Sequence, residues 1–119
     1  MPTICYAVTD LIFATKIRST AQAVGTVSLP VRTCSELLEA SKDSEIAIID
    51  LHLDTESPIE MIRATRRLPN PPKIVAFLSH VHAELAQAAE EAGADLVLPR
   101  SKFTQRLSEI LSGNLESTL

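Results

Sequence analysis

Cysteine is scarce: Cys5 and Cys34 are the only two in 119 residues, and their spacing fits no metal site. Cys5 lies inside an apolar run, where a thiol is simply a small core side chain. Both are expected as free thiols, which points to a reduced, cytoplasmic setting. Tryptophan is absent and aromatic residues make up 3% of the chain, within an otherwise ordinary globular composition. No apolar run approaches the ~20 residues that span a bilayer, and Met1-Pro2-Thr3 lacks the charged start of a signal peptide, so no membrane role is expected. A basic excess is missing too. The net charge is −4, and bulk attraction to nucleic acid is not expected. There is no glycine-rich phosphate loop and no Ser-His-Asp order, which removes the commonest signatures of nucleotide-binding and hydrolytic enzymes.

What is present is alternation. Thr3 to Val8 reads as a buried strand, and Phe13, Ile17, Ala21 and Val24 then recur at helical spacing until Gly25. Thr26 to Val31 is β-branched but contains Pro30, which cannot donate to a ladder, so this strand belongs at a sheet edge. Thr33 and Glu36 make a capping box for a short helix, and Ser57, Pro58 and Glu60 give the same signal for a stronger one. Between them lies a short apolar run, Ile46 to Ile49, ending in Asp50. Ile74 to Leu78 is a fourth strand, as apolar as the third. Leu85, Ala88, Ala89 and Ala92 form a helical stripe closed by Gly93, and Leu96 to Leu98 is a fifth strand ended by Pro99. Phe103, Leu107, Ile110 and Leu111 make one last helix. Five strands alternating with five helices predict an α/β fold with a parallel sheet covered on both faces, in the flavodoxin-like order 2-1-3-4-5. The domain is expected over residues 1–113, with 114–119 a disordered tail.

Asp50 organises this scaffold. A carboxylate adjoining a strand buried on both faces costs several kcal/mol unless it lies at the strand's carboxyl end. That end is where open α/β sheets form their ligand crevice. The first strand runs out at Asp10, the fourth at Ser79-His80, and the fifth at Pro99-Arg100-Ser101-Lys102. An acceptor carboxylate, a second carboxylate, a hydroxyl and a cation around one crevice suit phosphoryl transfer. Each residue also has a plainer role. Asp50 can cap the backbone of its own turn, Asp10 can be the N-cap of the first helix, and Ser101 with Lys102 can start the last one. His52, His80 and His82 lack the spacing of a zinc site. Arg63, Arg66 and Arg67 share one side of a helix and read as a solvated charged face.

With IAIIDLHL ending the third strand, SPIEMIRATRRL following it and AEEAGADLVL leading into the fifth, the chain resembles the receiver domains of bacterial response regulators over almost its whole length. The resemblance implies Asp50 as phosphoacceptor and Ser79 as switch hydroxyl. It also implies Mg²⁺ held by Asp50, by an acid after the first strand and by the main-chain carbonyl of His52. Several positions depart from the receiver pattern. Val8-Thr9-Asp10 stands where two adjacent acids are usual, leaving Asp10 as the remaining metal-binding acid. The lysine of the pattern is absent, with Arg100 in its place and Lys102 two residues on. Leu53-Asp54 replaces the usual methionine-proline, and the loop after the fourth strand is one residue short, so that Leu78 competes with Ser79. Mg²⁺ binding is therefore expected to be weak.

Two functions follow, neither of them enzymatic. One is a stand-alone receiver accepting a phosphoryl group at Asp50 in a two-component phosphorelay. The other is a pseudo-receiver serving as a protein interaction or dimerisation module. The implied partners are a histidine kinase or a downstream target, or a second copy in a homodimer. The expected contact surface is the last two helices and the fifth strand, around Ala86, Gln87, Gln105 and Arg106.

Overall fold

A computed structural model describes residues 2–79 and 82–115. Five strands, β1 (Thr3–Ala7), β2 (Val27–Pro30), β3 (Ile46–Asp50), β4 (Lys73–Leu78) and β5 (Leu96–Pro99), pair in parallel in the order β2-β1-β3-β4-β5. The apolar runs explain why β1, β3 and β4 are interior. Successive side chains point to opposite faces, so each run feeds two cores. Ile4, Tyr6, Ile46, Ile48, Val75 and Phe77 enter one core, and Cys5, Ala7, Ala47, Ile49, Ile74 and Ala76 enter the other.

Helices α1 (Leu11–Ala23), α5 (Arg100–Gln105) and α6 (Leu107–Leu111) cover the first face through Phe13, Ile17, Phe103, Leu107 and Ile110. Helices α2 (Cys34–Ser41), α3 (Pro58–Arg66) and α4 (Ala83–Ala92) cover the second through Leu37, Met61, Ile62 and Ala89. The expected five helices are six. The stripe Phe103, Leu107, Ile110 and Leu111 runs unbroken into the core, but Arg106 leaves helical geometry at φ −102°, ψ 9° and divides the segment. No helix among the described residues is long and apolar enough to cross a membrane.

Pro30 lies on the edge strand, as its missing donor requires. The N–H groups of Val27 and Val31 donate inward, to Pro2 and Tyr6 carbonyls. By the two-residue period Ser28 and Pro30 face outward, and the absent N–H falls on the solvent side. The helix starts form as their caps direct, with one variation. Glu36 N–H donates to Thr33 Oγ1 (3.1 Å), while the Glu36 carboxylate reaches past the cap to accept from Arg32 N–H (2.7 Å). Ser57 caps α3 through Glu60 N–H, but the Glu60 carboxylate turns to Arg63 instead. Both cysteines are free thiols, Cys5 buried and Cys34 half-buried, and burial pushes each thiol's pKa up. At the other end the chain is held beyond the expected start of the tail: Asn114 N–H donates to Glu109 O (2.8 Å), and Leu115 packs on the core. Residues 116–119 of the expected tail lie outside the described residues.

Candidate functional site

The carboxyl ends of β1, β3, β4 and β5 surround an open cavity of about 350 Å³ lined by Thr9, Asp10, Asp50, His52, Phe77, Ser79 and Arg100. Five residues singled out in the sequence, Asp10, Asp50, His52, Ser79 and Arg100, therefore meet in one crevice. Asp50 is the last residue of β3 and only 8% exposed. Its Oδ1 accepts from His52 N–H (2.9 Å), so the carboxylate caps its own turn as well as facing the cavity. Of the two residues competing after β4, Leu78 is buried in the second core, while Ser79 is exposed on the crevice wall. Lys102 does not line it. It stands two residues beyond Arg100 on α5, about 200° round the helix at 3.6 residues per turn.

Asp10 is the N-cap of α1: its Oδ1 accepts from Phe13 N–H (3.1 Å). Its other oxygen, Oδ2, accepts from Arg100 Nη2 (3.1 Å). Arg100 is the first residue of α5, just past Pro99, and its side chain folds back over the sheet end. There the guanidinium lies 4.4 Å from the centre of the Phe13 ring and 5.9 Å from that of Phe77, within cation–π range. Its Nε is buried without an acceptor among the described residues.

These contacts decide how the site treats a cation. A divalent metal does not fit the residues as they stand. Both Asp10 oxygens already serve protein donors, and one of those donors is a guanidinium whose charge opposes a second cation. Among the described residues no three His, Cys, Asp or Glu side chains are grouped to hold a metal. The His52 and His82 rings lie edge to face at 6.4 Å. His80, the third member of that sequence cluster, lies outside the described residues. Arg63 and Arg66 spend their charge on Glu60 and, at 3.8 Å, on Asp95.

The Phe13 N–H, and after it Arg100, hold the Asp10 carboxyl below its usual pKa. A carboxylate whose pKa is depressed by folding adds stability above its unfolded value of about 3.9, and that stability is lost as pH falls through the folded value. Asparagine caps as well as aspartate, so Asp10→Asn keeps a cap and removes the charge that Phe13 N–H and Arg100 both stabilise. Its melting temperature is expected to lie modestly below wild type near neutral pH, with the gap closing below about pH 4. The gap should shrink in high salt, since the pair is part-exposed. A gap that persists at acid pH would assign the loss to the cap instead.

One pair of residues escaped the sequence reading. Leu11 and Ile12 are 81% and 86% exposed beside the crevice. The signal was present in the helical period, since the stripe Phe13, Ile17, Ala21 leaves positions 11 and 12 on the outer side. Asp10 with Ile12, Phe13 and Lys16 of α1 faces Arg100 and Thr104 of α5 across a groove of about 300 Å³. The segments 11–24 and 100–108 hold five of the eleven basic residues and none of the fifteen acids.

No family model matches the chain, and no curated protein resembles it in sequence. Solved structures do resemble it in fold. A response regulator from Burkholderia pseudomallei, determined with a phosphorylated aspartic acid, calcium ion and citrate, superposes with a TM-score of 0.80 at 18% identity, covering 98% of this chain and 70% of that one. A CheY-like receiver domain protein from Methanospirillum hungatei gives 0.81 at 17% identity over 99% and 96% of the two chains. A receiver domain protein from Clostridium thermocellum gives 0.81 at 16% identity over 98% and 96%.

Proposed function

We propose that this chain, which has the fold of response-regulator receiver domains, is a signalling module that works through protein contacts and does not depend on metal-assisted phosphorylation of Asp50. One observation carries the reading: both oxygens of Asp10 are committed to the protein's own donors, Phe13 N–H and Arg100. Moving a phosphoryl group onto a carboxylate gathers several negative charges, and a hard metal ordinarily offsets them. With Thr9 beside a committed Asp10, Asp50 lacks the acidic partner for such an ion. Arg100 could still pair with phosphate through its planar fork, but only by releasing Asp10.

For contacts, the surface we assign, in place of the one expected around Ala86, Gln87, Gln105 and Arg106, is the α1–α5 side of the crevice, where Leu11 and Ile12 are exposed. An aliphatic patch with Lys16 and Arg100 beside it suits a partner that offers apolar and acidic side chains together. A histidine kinase, a downstream target or a second copy could supply them.

The second reading, Asp50 as phosphoacceptor, is favoured by the convergence of Asp50, Ser79 and Arg100 on one cavity. Intact mass spectrometry separates the two. Wild type and Asp50→Asn are incubated with acetyl phosphate and Mg²⁺. Neither protein is expected to gain mass on the timescale of minutes. Rapid, stoichiometric gain of one phosphate by wild type alone would establish the second reading.

A further inference from the structure

We propose that the Arg100 guanidinium is the crevice's resident cation, standing where a divalent ion would otherwise sit, and that its removal opens a divalent-cation site on Asp10 and Asp50. The proposal deepens the reading above, and rests on it in taking the wild-type crevice to work without metal.

Three features place the charge. Asp50 and Phe77 are register partners across β3 and β4. In a parallel pair such partners point to the same face, so the ring of Phe77 lies beside the Asp50 side chain. The guanidinium lies over that ring and over Phe13, which belongs to the turn Asp10 caps. Its Nη2 completes the placement on Asp10 Oδ2 at 3.1 Å. The cation is thus held from three directions, and it stays although Nε is buried without an acceptor.

The charge requirement of the crevice follows. Two carboxylates around one cavity repel unless a cation lies near them. Arg100 provides one that is covalently attached, always charged and unable to dissociate. Mg²⁺ would need an Asp10 oxygen within ~2.1 Å, on a carboxylate that already binds a guanidinium. Two cations on one carboxylate repel each other, and the tethered one holds the place. Take it away, and Asp10 and Asp50 are left facing one cavity with no counter-ion, the ordinary condition for capturing a hard divalent ion.

The test compares wild type, Arg100→Met and the double variant Arg100→Met/Asp50→Asn, titrated with Mg²⁺ in calorimetry and in thermal melts. Methionine keeps an unbranched apolar cover over Phe13 and Phe77 while removing the charge. Wild type is expected to show no saturable heat and no melting shift at millimolar Mg²⁺. Arg100→Met should bind at least about tenfold more tightly than wild type, given the loss of a unit positive charge next to the ion. Its melting temperature should rise with Mg²⁺, and both gains should vanish in the double variant. Equal Mg²⁺ affinity in wild type and Arg100→Met would overturn the proposal, and so would a variant that folds but binds none. Arg100→Gln serves the same comparison should the methionine variant not fold. Phosphate gain by wild type at Asp50 without added metal would establish the phosphoacceptor reading over a module acting through contacts alone, and leave this inference standing. Absence of metal binding in Arg100→Met would do the reverse.

Discussion

Phe77→Ala is expected to lower the unfolding free energy by about 3–5 kcal/mol, the range for deleting a large aromatic side chain from a packed core. Phe77 is 1% exposed, next to last in β4, a strand flanked by β3 and β5. Its ring stacks on Phe103 at 4.7 Å and tilts against Phe13 at 4.9 Å, joining the sheet to both α1 and α5. Aromatic pairs add about 0.5–1.5 kcal/mol beyond the area they bury, and the chain has only four aromatic residues to build such a cluster. The void would also border the seat of Arg100, leaving the guanidinium one ring in place of two. A domain of this size is stable by about 5–15 kcal/mol in all, so the variant would stand near the limit of folding. Urea titration followed by far-ultraviolet circular dichroism measures the loss. A decrease under about 1 kcal/mol would mean that the surroundings close over the gap and that the cluster is not the structural centre of this face.

Gly93→Ala should lose about 2–3 kcal/mol, whereas Gly25→Ala should lose about 1. Both glycines end helices with positive φ, +75° at Gly25 and +121° at Gly93, so alanine is strained at either. They differ in surroundings. A Cβ added at Gly25 meets nothing within 4 Å, but at Gly93 it meets Arg66 Cγ at 2.6 Å and Arg66 Cβ at 2.9 Å. The Cγ can swing away; the Cβ is fixed to the α3 backbone. Helix α3 must retreat, and with it the Arg66–Asp95 pair and the Met61 and Ile62 contacts beneath. Thermal melts of the two variants side by side measure the difference. Equal losses would mean that conformational strain alone sets the cost, and that α3 and α4 tolerate separation.

The strand order was legible because burial leaves a one-dimensional mark. Ile46–Ile49 and Ile74–Leu78 are apolar on both faces, Pro30 interrupts β2, and interior and edge strands follow. Asp50 was legible for the converse reason: a carboxylate ending such a run has one place to go. The site's electrostatics were harder. Arg100 and Asp10 are 90 residues apart, and nothing local to either shows that a side chain leaving Pro99 will fold back over two phenylalanine rings. Spacing put Arg100 at the lysine position and kept Lys102 two residues on as a second candidate, and the helical turn separates them. The reciprocal half of each capping box was also beyond sequence. Glu36 and Glu60 had other donors in reach, Arg32 N–H and Arg63, and the choice depends on backbone path rather than residue type. The interruption at Arg106 left no trace in the apolar stripe, which continues across it.

The outer rim of β2 bears on how copies of this chain meet at high concentration. Over its four residues the rim presents two carbonyls, those of Ser28 and Pro30, and a single N–H, that of Ser28. A second strand laid alongside would leave one of its own carbonyls unanswered, and a sheet growing through this border would carry that deficit at every junction. Val27 and Leu29, although exposed, therefore belong to a border poorly suited to templating fibrils.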